Sequence, residues 1–264
     1  MAPVSTLSFN CALITGGGGG LGKAMAEALI AIGKSVIIAG RTEAGLKKTV
    51  AEIGAKAYFV LDVSKTSTIS EFIQDILSKY PELDCLINNA GVQRPFQILG
   101  PDYGFDLNAA DQEIDTNIRG PLHLSVGLVP HFNSLPNGGV IMNVSSVLGY
   151  NPFSLLKPVY NGSKAWVHFF TMNLRTQLRE AGSNIKVVEI VPPTVETALH
   201  RERKDPDDNK KDHGNSAALS ISEFMEQIEE GWKSDKDVCA AGLGHEMVEK
   251  WFGAFGEAYT KAGG

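Results

Sequence analysis

Tyr160 and Lys164 stand four residues apart in the stretch Tyr160-Asn161-Gly162-Ser163-Lys164. On a helix this spacing puts both side chains on one face, so a phenol and an ammonium are presented to the same small volume. That pairing has a chemical use. Lowering a free tyrosine from its usual pKa of about 10 to near neutrality takes about 4 kcal/mol, and one ammonium at ~4 Å supplies about that much at an effective dielectric of about 20. Tyr160 could then give and recover a proton under ordinary conditions. The same spacing also occurs on any amphipathic helix with a solvated lysine, so its meaning depends on what the chain brings beside it.

Such a pair needs a second stretch to deliver a reactant. Cys11-Ala12-Leu13-Ile14-Thr15 has the length of a buried strand and runs into Gly16-Gly17-Gly18-Gly19-Gly20-Leu21-Gly22, after which Ala24, Met25, Ala28, Leu29 and Ile32 recur at helical spacing. Glycines let a backbone approach a pyrophosphate, and a helix N-terminus offers that anion free N–H groups and partial positive charge. Gly16 to Gly22 therefore predicts a dinucleotide site. The next strand, Ser35 to Gly40, ends about 20 residues on, where dinucleotide folds read the adenosine ribose. An acidic residue there would accept from the 2′-hydroxyl of NAD. Arg41 and Thr42 stand there instead, and a guanidinium can clasp a 2′-phosphate through paired charge-assisted bonds. The expectation is NADP(H) over NAD(H).

The remaining elements alternate in the same way. A helix from Ala44 to Ile53 precedes a strand over Ala57 to Leu61 that closes at Asp62-Val63. Ile69, Phe72, Ile73, Ile76 and Leu77 form a helical stripe, and Leu83 to Ile87 is a strand leading into Asn88-Asn89-Ala90-Gly91. Residues 93–107 read as an exposed loop, followed by a helix carrying Ile114, Ile118, Leu122 and Leu124 past Asn117. Val140 to Val144 delivers Ser145 and Ser146 at a strand end, and the apolar loop 147–159 leads to the Tyr160 helix. That helix is apolar around most of its circumference, which calls for burial on more than one side, with a second subunit as the expected cover for the outer face. Ile185 to Val191 ends at Pro192-Pro193-Thr194-Val195-Glu196-Thr197; His200 to His213 reads as a mobile, charged segment; Ser222 reads as a helix cap; and a last strand falls near Val238 to Ala241. Trp251, Phe252, Phe255 and Tyr259 make the C-terminal stretch aromatic enough that it should dock. Strand–helix alternation predicts an α/β chain with a doubly wound parallel sheet, helices on both faces, and ligands beyond the strands' carboxyl ends.

Composition agrees with that class. The 264 residues suffice for one large α/β domain, and 43% hydrophobic with 20% charged residues is globular usage. A net charge of −6 argues against general nucleic-acid binding. No apolar run of about 18 residues exists to span a bilayer, and the first ten residues hold no basic residue of a targeting signal. Cys11, Cys85 and Cys239 are few and scattered, which fits reduced core thiols and no metal site. The expected location is the cytoplasm.

Taken together, these residues resemble the short-chain dehydrogenase/reductase family in its short single-domain form. Thr15-Gly16-x-x-x-Gly20-x-Gly22 matches the family's cofactor motif, Asn88-Asn89-Ala90-Gly91 its strand-four motif, and Asn117, Ser146, Tyr160 and Lys164 its catalytic tetrad. The resemblance implies a Rossmann fold spanning the chain, with residues 194–235 as a mobile substrate lid. It implies a cofactor site that includes Thr15, Gly16, Gly20, Leu21, Gly22, Arg41, Thr42, Asp62, Val63, Asn89, Ala90, Gly91, Pro192, Val195 and Thr197, together with Tyr160 and Lys164. It also implies a homodimer or homotetramer paired through the Tyr160 helix. Lys164 would bind the nicotinamide ribose, Ser146 would hold the substrate carbonyl, Tyr160 would protonate it, and Asn117 would position a water. The chain departs from the family pattern twice. The Ser146 to Tyr160 interval is about one residue longer than the family's usual one, which leaves Ser145 as a second candidate, and Pro193 replaces the usual glycine after Pro192.

The implied activity is NADPH-dependent reduction of a small or medium ketone to a secondary alcohol. Tyr150, Phe153, Leu155, Val195 and Leu199 suggest an apolar lining. Two alternatives stay open: an NADP-dependent alcohol dehydrogenase running oxidatively, and a non-catalytic NADP(H)-binding sensor.

Overall fold

Seven short apolar runs become the strands of one sheet in the computed structural model, which describes residues 4–99, 104–202 and 205–263. They are β1 (Cys11–Thr15), β2 (Ser35–Gly40), β3 (Ala57–Val60), β4 (Cys85–Asn88), β5 (Gly139–Val144), β6 (Ile185–Val191) and β7 (Val238–Ala240). All neighbours pair in parallel in the order β3-β2-β1-β4-β5-β6-β7. The order reverses between β1 and β4, where the crossovers leave to opposite sides and open a crevice at the carboxyl edge. Positions 100–103 of the expected loop and 203–204 of the expected charged segment lie outside the described residues.

Successive residues of a strand point to opposite faces, and the two cores divide accordingly. Ala12, Ile14, Val36, Ile38, Ile87 and Met142 pack with Met25 and Leu29 of α1 (Gly20–Ala31), Leu46 of α2 (Glu43–Ile53), and Phe224, Ile228 and Trp232 of α7 (Ile221–Lys233). Leu13, Ile37, Leu86 and Ile141 pack on the other side. There they meet Phe72 and Ile76 of α3 (Ile69–Lys79), Leu124, Leu128 and Phe132 of α5 (Gly120–Ser134), and Leu174 and Leu178 of α6 (Pro158–Glu180). Each fully buried aliphatic or aromatic side chain contributes about 1.5–3 kcal/mol, so the two-faced burial is what makes the sheet stable.

The helix expected to run through Asn117 is interrupted. α4 (Leu107–Ile114) passes into a π turn at Asp115–Arg119 before α5 begins. The physical reason is Pro121, whose missing N–H denies the carbonyl of Asn117 its α-helical donor and whose ring crowds that carbonyl. Such π turns recur at functional sites.

Two further differences concern the C-terminal third. The cap of α7 is Ser220, not Ser222: Ser220 Oγ accepts from Glu223 N–H at 3.2 Å while the Glu223 carboxylate accepts from Ser220 N–H at 2.8 Å. The aromatic stretch forms α8 (Leu243–Lys261), which docks on α6: Trp251 meets His168 and Phe169 edge-on, and Tyr259 Oη donates to the carbonyl of Met172 at 3.1 Å. Part of the cover expected from a second subunit is thus supplied within the chain. Phe169 and Phe255 stay exposed.

Ser220→Ala should lower stability by about 1 kcal/mol, a fall in Tm of about 2–4 °C in a thermal melt, whereas Ser222→Ala should leave the melt unchanged.

Candidate active site

The carboxyl ends of the strands open onto one cleft of about 930 Å³. One wall is the glycine turn. α1 starts behind Gly19 with no side-chain cap and no acidic residue in its first turn, so its leading N–H groups stay open to an anion. A Cβ at Gly22 would lie 2.4 Å from the carbonyl oxygen of Gly16 and 2.5 Å from Asn89 Nδ2, and Gly16 has φ of 67°. Only glycine fits either place. Gly18 and Gly19 face the cleft as bare backbone, and nothing lies within 4 Å of a Cβ built at Gly19. Bare backbone, an uncapped helix N-terminus, and Arg41 and Thr42 on the same wall are a donor set that fits a phosphorylated dinucleotide.

Most of the expected cofactor residues line this cleft: Gly16, Gly20, Leu21, Arg41, Thr42, Asp62, Val63, Asn89, Ala90, Gly91, Pro192, Val195 and Thr197. Thr15 and Gly22 do not, because both are spent on holding its floor. Thr15 Oγ1 accepts from the N–H groups of Asn89 and Ala90, each at 3.0 Å, and Asn89 Nδ2 returns a bond to the Thr15 carbonyl at 2.9 Å. These bonds lock the end of β1 to the end of β4. Asp62 Oδ1 accepts from Ser64 N–H and Oγ, which fixes the turn after β3. Thr197 lies across from the glycines, its Cβ 3.7 Å from where a Gly20 Cβ would be.

Ser146, Tyr160 and Lys164 share the cleft. Lys164 is buried, donates to the carbonyl of Val144 at 2.7 Å, and sits 5.6 Å from the centroid of the Tyr160 ring. Burial lowers its pKa to about 8, partly offset by the Glu113 carboxylate. The two serines differ in what their hydroxyls do. Ser145 Oγ donates inward to the carbonyl of Ile190, whereas Ser146 Oγ accepts from Leu148 N–H, an arrangement that leaves its own proton for a guest oxygen. Asn117 is beside the cleft, not in its wall. Its Oδ1 accepts from Val92 N–H and its Nδ2 donates to the carbonyl of Val92, both at 2.9 Å, and to Ser163 Oγ at 3.1 Å. Its amide is fully engaged in bracing its neighbours.

The expected substrate wall is partly redrawn. Phe153, Val195 and Leu199 line the cleft, but Tyr150 turns away to Glu189 and Leu155 is 88% exposed. Leu148, Leu243, Lys157, His200 and Arg201 join the wall instead. The segment after Thr197 is less solvated than its charge implied. Asn209 is buried and donates to the carbonyls of Val195 and Thr197 at 2.9 and 3.2 Å. Glu113, 1% exposed and one helical turn before Asn117, was not singled out from sequence. The signal was a carboxylate at i−4 from a candidate residue on one helix face.

The model for the short chain dehydrogenase family matches residues 10–208. The oxidoreductase DltE of Bacillus subtilis is 34% identical over 86% of this chain and 86% of its own length. The NADP-dependent 3-hydroxy acid dehydrogenase YdfG of Escherichia coli is 31% identical over 82% of this chain and 86% of its own. Among solved structures, the closed form of serine dehydrogenase complexed with NADP+ superposes with a TM-score of 0.75 at 27% identity, covering 87% of this chain and 93% of that one.

The two kinds of glycine in the turn should separate in a melt. Gly22→Ala should cost about 1–3 kcal/mol, because backbone must move to admit the methyl, and Gly19→Ala should melt with the parent. Equal melts would show that the close approach at Gly22 is not what holds the turn.

Proposed function

The chain belongs to the short-chain dehydrogenase/reductase family and is an oxidoreductase of that type, and on that premise we propose that it is an NADPH-dependent carbonyl reductase acting on a small or medium ketone. The observation that carries the reading is a buried lysine, a tyrosine and a serine with a proton to donate, all on one cleft with an anion-ready glycine turn. NADP(H) would be held by the turn from Gly16 to Gly22, by Arg41 and Thr42 at the 2′-phosphate, by Asp62, Val63 and Asn89 to Gly91, and by Pro192, Val195 and Thr197, with Lys164 at the nicotinamide ribose. When bound, it supplies the hydride to the carbonyl carbon.

The protein supplies the proton and the field. Ser146 donates a hydrogen bond to the substrate oxygen and holds it toward Tyr160. Tyr160 transfers its phenolic proton to that oxygen as negative charge develops there. Lys164 stabilises the phenolate left behind; it does so strongly because the pair is sheltered from water. Asn117 keeps Val92 and Ser163 in place around the pair. The described part of residues 194–235 acts as the lid, with Asn209 as its tie to the cleft.

The wall favours a refinement of the substrate. Phe153, Leu148, Leu199 and Leu243 offer apolar surface, while Lys157, His200 and Arg201 bring basic groups to the same cleft. The relatives named for 3-hydroxy acids and serine act on molecules that carry a carboxylate. A ketone or aldehyde with an anionic end is therefore the second reading. Oxidation of the corresponding alcohol uses the same residues, and the NADP(H) sensor is disfavoured because a serine, tyrosine and lysine so arranged have little to do without a carbonyl. Assembly as a homodimer or homotetramer is supported by the exposed Phe169 on α6, and a cytoplasmic location by three buried, unpaired cysteines.

NADPH oxidation followed by near-ultraviolet absorbance, against aliphatic, aromatic and 3-oxo acid carbonyls, tests the reading. Tyr160→Phe should keep NADPH affinity and lose turnover by several orders of magnitude; retention of most activity would sink the assignment. Arg41→Ala should raise KM for NADPH by about tenfold or more, the loss of one or two charge-assisted bonds, and leave KM for NADH nearly unchanged.

A further inference from the structure

On α4, which packs against the helix of Lys164, is a carboxylate to which the reaction just described gives no part. Glu113 on α4 is 1% exposed. Its Oε2 accepts from the backbone N–H of Arg94 at 3.0 Å, and its Oε1 has no hydrogen-bond partner among the described residues. A carboxylate so placed is costly unless a charge nearby compensates it.

Two cations lie along the segment from Gly91 to Arg94: Arg94 itself and Lys164. A Cβ at Gly91 would sit 3.4 Å from Asn117 Oδ1 and 3.7 Å from Lys164 Nζ. Val92 is bonded both ways to Asn117, and Arg94 N–H to Glu113. Lys164, Asn117 and Glu113 are therefore strung along four residues of backbone, with α4 packed against α6. Among the described residues the charges that act on Glu113 are, largest first, Arg94, whose guanidinium is engaged with Glu202, Gln112 and the carbonyl of Ala109; Glu202 itself; and Lys164. Among the same residues, the charge that acts on Lys164 is that of Glu113.

We propose that Glu113 is a positioning residue for this reaction: its carboxylate is the buried counter-charge of Lys164 and sets how far up the pH scale the lysine stays charged beneath Tyr160. The inference rests on the carbonyl-reductase reading for its consequence in turnover but not for its electrostatics. Burial raises Glu113 to about 7 and lowers Lys164 to about 8. As pH rises through the first value the carboxylate forms and favours the ammonium. As pH rises through the second the ammonium is lost. Without Glu113 the lysine loses an opposite charge and gives up its proton earlier. That earlier loss moves the alkaline limb of reductive turnover toward lower pH.

The test compares wild type, Glu113→Gln and Glu113→Asp by kcat against pH and by NMR titration of 13Cε-labelled lysine, with Lys164→Met assigning the resonance. In Glu113→Gln the alkaline limb and the Lys164 midpoint should both fall by about half a unit or more, and Glu113→Asp should restore most of the shift. A limb and a midpoint that stay put in Glu113→Gln, whatever happens to kcat or Tm, would overturn the proposal, since a merely structural role changes the rate without moving the titration. In wild type alone, the Lys164 resonance should also report a lower step near Glu113's own ionisation; its absence counts against the proposal even if the variant fails to fold. The lysine titration needs no substrate, so a shifted midpoint with no turnover on any carbonyl would fault the reductase reading and leave the pairing standing.

Discussion

An ammonium held out of water under a phenol is the constraint that the rest of the structure serves. Lys164 can donate three hydrogen bonds, and among the described residues it finds one acceptor, the carbonyl of Val144 at 2.7 Å. Stripping a charge of its water is tolerable only if fixed dipoles and opposite charge replace it, and only if the groups that do so cannot relax away. The carbonyl at the end of β5 is such a dipole, pinned by its place in a parallel ladder. A loop carbonyl would not serve, because it could turn to solvent.

Holding the lysine at the right height then becomes a problem of register between α6 and the sheet. A buried polar chain solves it. Asn88 Nδ2 donates to Ser125 Oγ and to Asn143 Oδ1 at 2.9 and 2.8 Å, and Asn143 Nδ2 donates to Thr171 Oγ1 at 3.0 Å. Thr171 Oγ1 in turn donates to the carbonyl of Val167 on its own helix. Apolar packing alone would let α6 slide by a fraction of a turn at small cost. Hydrogen bonds through four polar side chains, linking β4, β5, α5 and α6, make that slide expensive, because it would leave further buried donors and acceptors unpaired.

The sequence made the order of elements legible because the strands, apart from the edge strand β3, are mostly buried on both faces and read as short apolar runs, and the helices between them carry apolar stripes. The cofactor wall was legible for a related reason: glycines and the residues after strands are set by backbone geometry, which local sequence encodes. What stayed hidden depends on distant packing. Glu113 drew no reading from the sequence, because its burial comes only from α4 being laid on α6, and Tyr150 looked like a substrate wall until Glu189, 39 residues away, was seen to claim its hydroxyl. Thr15 and Asn117 were found as site residues, but their work is bracing, which spacing cannot reveal. The π turn was readable in principle, since Pro121 stands four residues after Asn117 and proline removes that helical bond. Ser222 was read as the cap of α7, although Ser220 and Glu223 form the capping-box spacing.

The turn away of Tyr150 has its own consequence for the reacting serine. Ser146 follows the end of β5 and begins a loop that is about one residue longer than the family pattern, and slack there would cost alignment with Tyr160. Tyr150 removes the slack. Its hydroxyl donates to Glu189 Oε2 at 2.8 Å, its ring lies 4.1 Å from that of His168, and Trp251 of α8 closes edge-on against both rings. Glu189 is on β6 and His168 on α6, so the loop is tied to the same two elements that fix Val144 and Lys164. Leu148 N–H then meets Ser146 Oγ, and Val147 N–H meets the carbonyl of Pro192, within one short turn. Beyond Tyr150 the loop turns outward, where Leu155 is 88% exposed. The docked C-terminal helix thus stiffens the cleft from behind, and the aromatic residues that looked excessive for a tail are what the longer loop requires.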